Sequence, residues 1–131
     1  MSLKIKYLKT TNRKKKRFVL IEINSEYDKK IIINNLKNKF IELFGLIEYS
    51  NSNLIFFNPM FFNFIKEKYF KNKDLKKRIL NDKLIYLSIS PKYIDKLKMS
   101  IVLSNKSIDY LIKIKLITDT FKNVVEKLKK D

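Results

Sequence analysis

The chain has 131 residues, 45% of them hydrophobic, enough for one compact domain with a real core and too few for two comfortable ones. It carries 30 Lys+Arg against 13 Asp+Glu, a formal net charge of +17, and codon bias in an AT-rich genome does not account for the sign because Asp and Glu have AT-rich codons too. Such an excess creates a sequence-independent attraction to phosphate, so the expected partner is nucleic acid or another large polyanion. With no histidine, no cysteine and a single glycine, Gly45, the chain excludes imidazole catalysis, thiolate metal sites, disulfides and phosphate-binding glycine loops. The acids are dispersed among lysines, so neither a catalytic nor a metal site is expected.

Residues 1–16 read as an extended basic arm with no amphipathic period. The first seventeen residues hold Lys4, Lys6, Lys9, Arg13, Lys14, Lys15, Lys16 and Arg17 and no acid. A charged start without an apolar run behind it argues against a signal peptide, and the broken apolar segment Leu54 to Ile65 is too short for a membrane helix, so the chain reads as soluble and cytoplasmic. One domain follows over 17–131.

The first strand runs from about Arg17 to Asn24, with Val19, Ile21 and Ile23 on one face and Phe18, Leu20 and Glu22 on the other. After a turn at Ser25 to Asp28, Ile32, Leu36, Phe40 and Leu43 recur at helical spacing to about Phe44, and Gly45 ends the helix. A polar turn at Ser50 to Ser52 precedes a second strand, Asn53 to Phe57. Residues 59–82 form an aromatic and basic insertion in which Pro59 can open a helix and Lys71 to Arg78 makes a second basic run.

The third strand covers Lys83 to Ile89, with Ile85, Leu87 and Ile89 opposed to Leu84, Tyr86 and Ser88. Ser90-Pro91 starts a helix to about Leu103, a turn spans Ser104 to Ser107, and a fourth strand runs from Ile108 to Ile117. In it Ile112, Ile114 and Leu116 oppose Leu111, Lys113 and Lys115. Asp119 or Thr120 caps a last helix whose apolar face is Phe121, Val124, Val125 and Leu128.

The resulting class is α+β. It is a ferredoxin-like, RNA-recognition-motif-like βαββαβ sandwich with a four-stranded antiparallel sheet, a helical insertion and a C-terminal helix. Two helices on one sheet face leave Phe18, Leu20, Glu22, Leu84, Tyr86, Lys113 and Lys115 on the other. Aromatics and lysines there suit unpaired bases and phosphates, but the basic-Gly-aromatic signature on the third strand is absent; so apolar a face is more often covered by a terminal helix or another protein.

The ordered set of segments resembles the small RNA-recognition-motif-like protein subunit of archaeal and eukaryotic ribonuclease P, called ribonuclease P protein component 2 in archaea. The carrying residues are Leu8-Lys-Thr-Thr-Asn-Arg13-Lys-Lys-Lys-Arg17-Phe-Val-Leu-Ile-Glu-Ile-Asn-Ser-Glu26, Ile41-Glu-Leu-Phe-Gly45, Ser90-Pro-Lys-Tyr-Ile-Asp-Lys-Leu-Lys-Met-Ser-Ile-Val-Leu103 and Ile112-Lys-Ile-Lys-Leu-Ile-Thr-Asp-Thr-Phe-Lys122. The chain departs from the family in its 59–82 insertion, where a short hairpin is usual, and in Thr118-Asp119-Thr120, where glycines are usual.

The resemblance implies a subunit that supports a catalytic RNA in removing the 5′ leader of precursor tRNA. It implies magnesium held by that RNA, no cofactor on this chain, and a larger TIM-barrel-like protein subunit as partner. On this reading Lys9, Arg13, Lys14, Lys15, Lys16, Arg17, Lys113 and Lys115 contact RNA, precursor tRNA is met indirectly, and Phe18, Leu20, Tyr86, Phe121 and Val125 contact the partner. Three rivals remain: a ribosomal or tRNA-binding protein of ferredoxin-like fold, a self-sufficient carboxylate nuclease, and a basic peripheral membrane protein.

Overall fold

A computed structural model of the chain describes residues 16–24, 28–59, 73–107 and 111–130. In chain order these form β1 (Arg17–Asn24), α1 (Lys29–Phe44), α2 (Leu46–Ser52), β2 (Ile55–Phe57), α3 (Lys73–Ile79) and β3 (Leu84–Ile89). A 3-10 turn (Pro91–Tyr93), α4 (Ile94–Ser107), β4 (Leu111–Thr118) and α5 (Phe121–Lys130) follow. The sheet order is β2-β3-β1-β4 with every neighbouring pair antiparallel, so two split βαβ units interlock as in the ferredoxin-like fold.

Helix α1 begins where Asp28, in extended backbone, accepts a 3.1 Å hydrogen bond from the Lys30 N–H, and it buries Ile32, Leu36 and Phe40 one turn apart. It stops at Gly45, whose φ of 93° lies where a side chain is strained; a Cβ there would meet no atom within 4 Å, so conformation and not space requires glycine. The expected polar turn at Ser50 to Ser52 is instead the end of a second helix, α2. The Ser52 hydroxyl donates to the Tyr49 carbonyl (2.6 Å) and accepts from the Leu54 N–H (3.2 Å), and Asn53 takes the left-handed conformation that stops the helix.

Two further boundaries differ from expectation. The turn expected at Ser104 to Ser107 is helical, because Ser100 and Ser104 are buried on the same stripe as Leu97 and Ile101, and the Ser100 hydroxyl folds back onto the Lys96 carbonyl. Strand β4 begins at Leu111 rather than Ile108, residues 108–110 lying outside the described set. Ser90 precedes the helix as expected but supplies no side-chain cap; its hydroxyl accepts from Asn53 and its carbonyl from the Tyr93 N–H.

Strand β4 carries a bulge. Ile23 pairs with Ile112 and Ile21 with Ile114, yet Leu20 pairs with Leu116, so Lys115 is the extra residue. The insertion reverses the alternation: Ile112, Ile114 and Ile117 pack on one side of the sheet while Leu116 packs on the other. The expectation that Leu116 shares a face with Ile112 and Ile114 is corrected by this single residue.

The sheet therefore lies between two helical layers with a core on each side. On the first side α1, α2 and α4 cover Val19, Ile21, Ile23, Ile85, Leu87 and Ile89. On the second, α3 and α5 bring Leu75, Ile79, Phe121, Val124, Val125 and Leu128 onto Leu20, Leu84 and Tyr86. All six residues of β3 are buried, as a strand covered on both faces must be. The face that the two βαβ helices leave over is closed by α3 and by the C-terminal helix α5, the kind of cover expected for so apolar a face.

Candidate nucleic-acid interface

Strand β1 and the residue before it place the last two basic residues of the N-terminal run, Lys16 and Arg17. Lys16 is exposed and Arg17 half-buried, its Nη1 donating to the Lys16 carbonyl at 3.0 Å. Arg17 pairs with Ile89, and the next residue, Phe18, pairs with Thr118, so β1 starts beside the end of β4, where the chain hands over to α5. Lys9, Arg13, Lys14 and Lys15 lie outside the described residues.

Lys113 and Lys115 stand elsewhere. Lys113 is cross-strand from Glu22, five residues along β1 from Arg17, a separation of ~17 Å at about 3.3 Å per residue. Lys115 Nζ sits 3.4 Å from Glu22 Oε2, so the bulge lysine already has an anionic neighbour within the protein. Lys16 and Arg17 are not brought together with these two lysines.

Phe18, Leu20, Tyr86, Phe121 and Val125 do come together, but with one another. Ring centroids of Phe121 lie 6.0 Å from Phe18, 5.6 Å from Phe57 and 5.9 Å from Tyr86. Leu20 and Val125 are fully buried, Tyr86 and Phe121 nearly so, and only Phe18 is half-exposed. The Tyr86 hydroxyl donates to the Ile79 carbonyl at 2.6 Å, and burial pushes this phenol well above its ordinary value of 10.0. Leu20, Tyr86, Phe121 and Val125 thus belong to the protein's own second core, and the half-exposed Phe18 packs against it.

The helices that close that face present a surface to which no site was assigned from sequence. Buried positions Leu75 and Ile79 turn α3 inward, and Phe121, Val124, Val125 and Leu128 do the same for α5. Lys73, Lys76, Lys77, Arg78, Lys122, Lys129 and Lys130 are exposed as a result. Arg78 joins the helices: its Nη1 donates to the carbonyls of Leu128 and Lys129, both at 3.1 Å, satisfying acceptors that the end of α5 leaves unpaired. The basic run Lys71 to Arg78 was the sequence signal for this face, but only the packing of α3 beside α5 shows that the two runs share a side.

On the first layer, several lysines are engaged locally. Lys96 contacts Glu48 at 2.8 Å and lies over the Tyr93 and Phe44 rings at 5.0 and 5.6 Å, and Lys37 lies over Phe56 at 5.6 Å. The hydrogen bond from Lys96 holds the Glu48 carboxyl below its ordinary range. A cavity of about 730 Å³ opens at the start of α1, lined among others by Asp28, Lys29, Phe57, Asp82 and Tyr86. Burial lowers the Lys29 pKa, with Asp82 opposing the shift. Among the described residues no three acids converge as a metal site would require, and no helix is long and apolar enough to cross a membrane.

No protein-family model matches the sequence, and no curated protein matches it. Among solved structures, the chain is similar to a chain of the cryo-EM structure of yeast ribonuclease MRP, with a TM-score of 0.51 and 15% identity, over 90% of this chain and 94% of that one. At this identity the likeness is one of fold alone, and it extends over nearly the whole of both chains.

Proposed function

We propose that this chain is an RNA-binding protein subunit of a ribonuclease P or ribonuclease MRP type ribonucleoprotein, bracing a catalytic RNA that removes the 5′ leader of precursor tRNA. The observation that carries the reading is the likeness in fold to a chain of yeast ribonuclease MRP along nearly the full length of both chains. The net charge of +17 supports it, since phosphate neutralisation is the work a bracing subunit performs. Four of the described carboxylates, those of Glu22, Glu42, Glu48 and Glu126, each lie against a lysine, as surface acids of a basic RNA-binding subunit would. In this reading magnesium is held by the RNA, and a larger protein subunit shares the complex.

The test is the RNA that copurifies from native cells, together with the activity of the purified protein. One discrete structured RNA, accompanied by 5′ cleavage of precursor tRNA once RNA and partner protein are restored, is the expected result. Ribosomal RNA as the copurifying species would assign the chain to another ferredoxin-like RNA-binding class. Cleavage by RNA-free protein that disappears when one carboxylate is replaced would overturn the accessory reading.

A further inference from the structure

The geometry points to a second phosphate-binding surface, formed by the outer sides of α3 and α5, that contacts the backbone of a folded RNA independently of the N-terminal arm. The inference rests on the RNA-binding reading above and deepens it by naming where the duplex lies.

Charge density separates this face from the helical layer on the other side of the sheet. The seventeen residues of α3 and α5 hold eight basic and two acidic side chains. The forty residues of α1, α2, the 3-10 turn and α4 hold eight and three. The excess per residue is thus nearly three times greater on the α3–α5 side. A solvated face chosen for solubility alone needs no such asymmetry between two helical layers of one sheet.

Shape and continuity agree with charge. Both helices lie on the same face of the sheet, share one core and are clipped by Arg78, so their lysines are carried on a packed scaffold rather than on a loop. Lys16 and Arg17, the last basic residues of the N-terminal run, stand beside the start of α5, where Lys122 is exposed. A duplex held by the arm therefore has a basic surface next to it. Among the described residues the outer sides of α3 and α5 carry no aromatic side chain, since Phe121 is buried and Phe18, Phe57 and Tyr86 are packed with it beneath them. The surface consequently suits phosphates of a paired helix rather than stacked single-stranded bases.

The experiment uses the full chain, a fluorescein-labelled RNA hairpin, and Gln substitutions at Lys73, Lys77, Lys122 and Lys130, all exposed positions. If each lysine contacts a phosphate, the slope of log affinity against log salt flattens by about 3 in the fourfold variant, at 0.7–0.9 per contact. Gln substitution of Arg13 to Arg17 flattens it separately and additively. In the unsubstituted protein, acetylation footprinting read by mass spectrometry should show RNA protecting Lys73, Lys77, Lys122 and Lys130 but leaving Lys92 and Lys98 on the opposite layer reactive.

Unchanged slope and unprotected lysines in a protein that still binds the hairpin through its arm would overturn this inference and leave the proposed function standing. Failure of the unsubstituted protein to bind any RNA would overturn both. Protection by phosphatidylserine vesicles but not by RNA would overturn it in favour of a membrane surface.

Discussion

Replacing Phe121 by Ala distinguishes a core residue from a partner contact. Its ring is 4% exposed and meets three other rings at 5.6–6.0 Å, so truncation removes most of an aromatic side chain from a packed interior. Buried Phe→Ala changes cost about 3–5 kcal/mol, combining lost transfer energy and the cavity left behind. For a chain of 131 residues, at roughly 0.05–0.15 kcal/mol per residue, total stability is about 7–20 kcal/mol, so the substitution removes a large share and still leaves a folded state. With a urea m-value of about 2 kcal/mol/M, the unfolding midpoint should fall by ~1.5–2.5 M. Pairing it with Phe57→Ala should cost less than the sum of the two, because the rings share one cluster. A midpoint within about 0.5 M of the unsubstituted protein would show that Phe121 is not a core residue and would refute the assignment of this face to the protein's own interior.

Tyr86→Phe should cost about 1–3 kcal/mol, since the Ile79 carbonyl loses a buried 2.6 Å donor. The raised phenol pKa sets the sign of the pH effect: its contribution is whole below about 10 and falls as pH rises, by ~1.4 kcal/mol per unit, so the gap between the two proteins should narrow in alkaline denaturation series. A gap that widens with pH would contradict the buried, neutral phenol. Asn105→Ala removes a side-chain amide that donates to the Ile112 carbonyl at 2.9 Å and accepts from its N–H at 2.8 Å. Sedimentation velocity should then show increased self-association through the β4 edge, and unchanged sedimentation would mean that Asn105 does not guard that edge.

Strands and the principal helices were legible because their apolar residues follow the right periods: Val19, Ile21 and Ile23 in β1, and Ile32, Leu36 and Phe40 in α1. Boundaries failed where a serine served the helix. Ser52 and Ser104 look like turn residues in a sequence, whereas here one closes α2 and the other fills a buried place beside Ile101. The bulge was illegible because Ile114-Lys-Leu-Ile117 reads equally well with or without a shift, and only pairing with Leu20 decides. For the site, charge pointed to the arm and the 71–78 run, but periodicity alone cannot report which distant helices share a layer. The spacing of Phe121 and Val125 marks one apolar face, and that face packs on the protein's own sheet.

The last ten helical residues complete the second core, and this has a bearing on synthesis at the ribosome. Until α5 has emerged from the exit tunnel, Leu20, Leu84 and Tyr86 have, among the described helices, only α3 to cover them, while every residue of the first core precedes α5 in the chain and has already been made. The nascent chain thus passes through a stage in which one side of its sheet can close and the other still presents a sticky apolar surface, flanked by lysines that repel a second copy of the same nascent chain. Solubility of the half-made protein and attraction to RNA by the finished one then depend on the same positive charge.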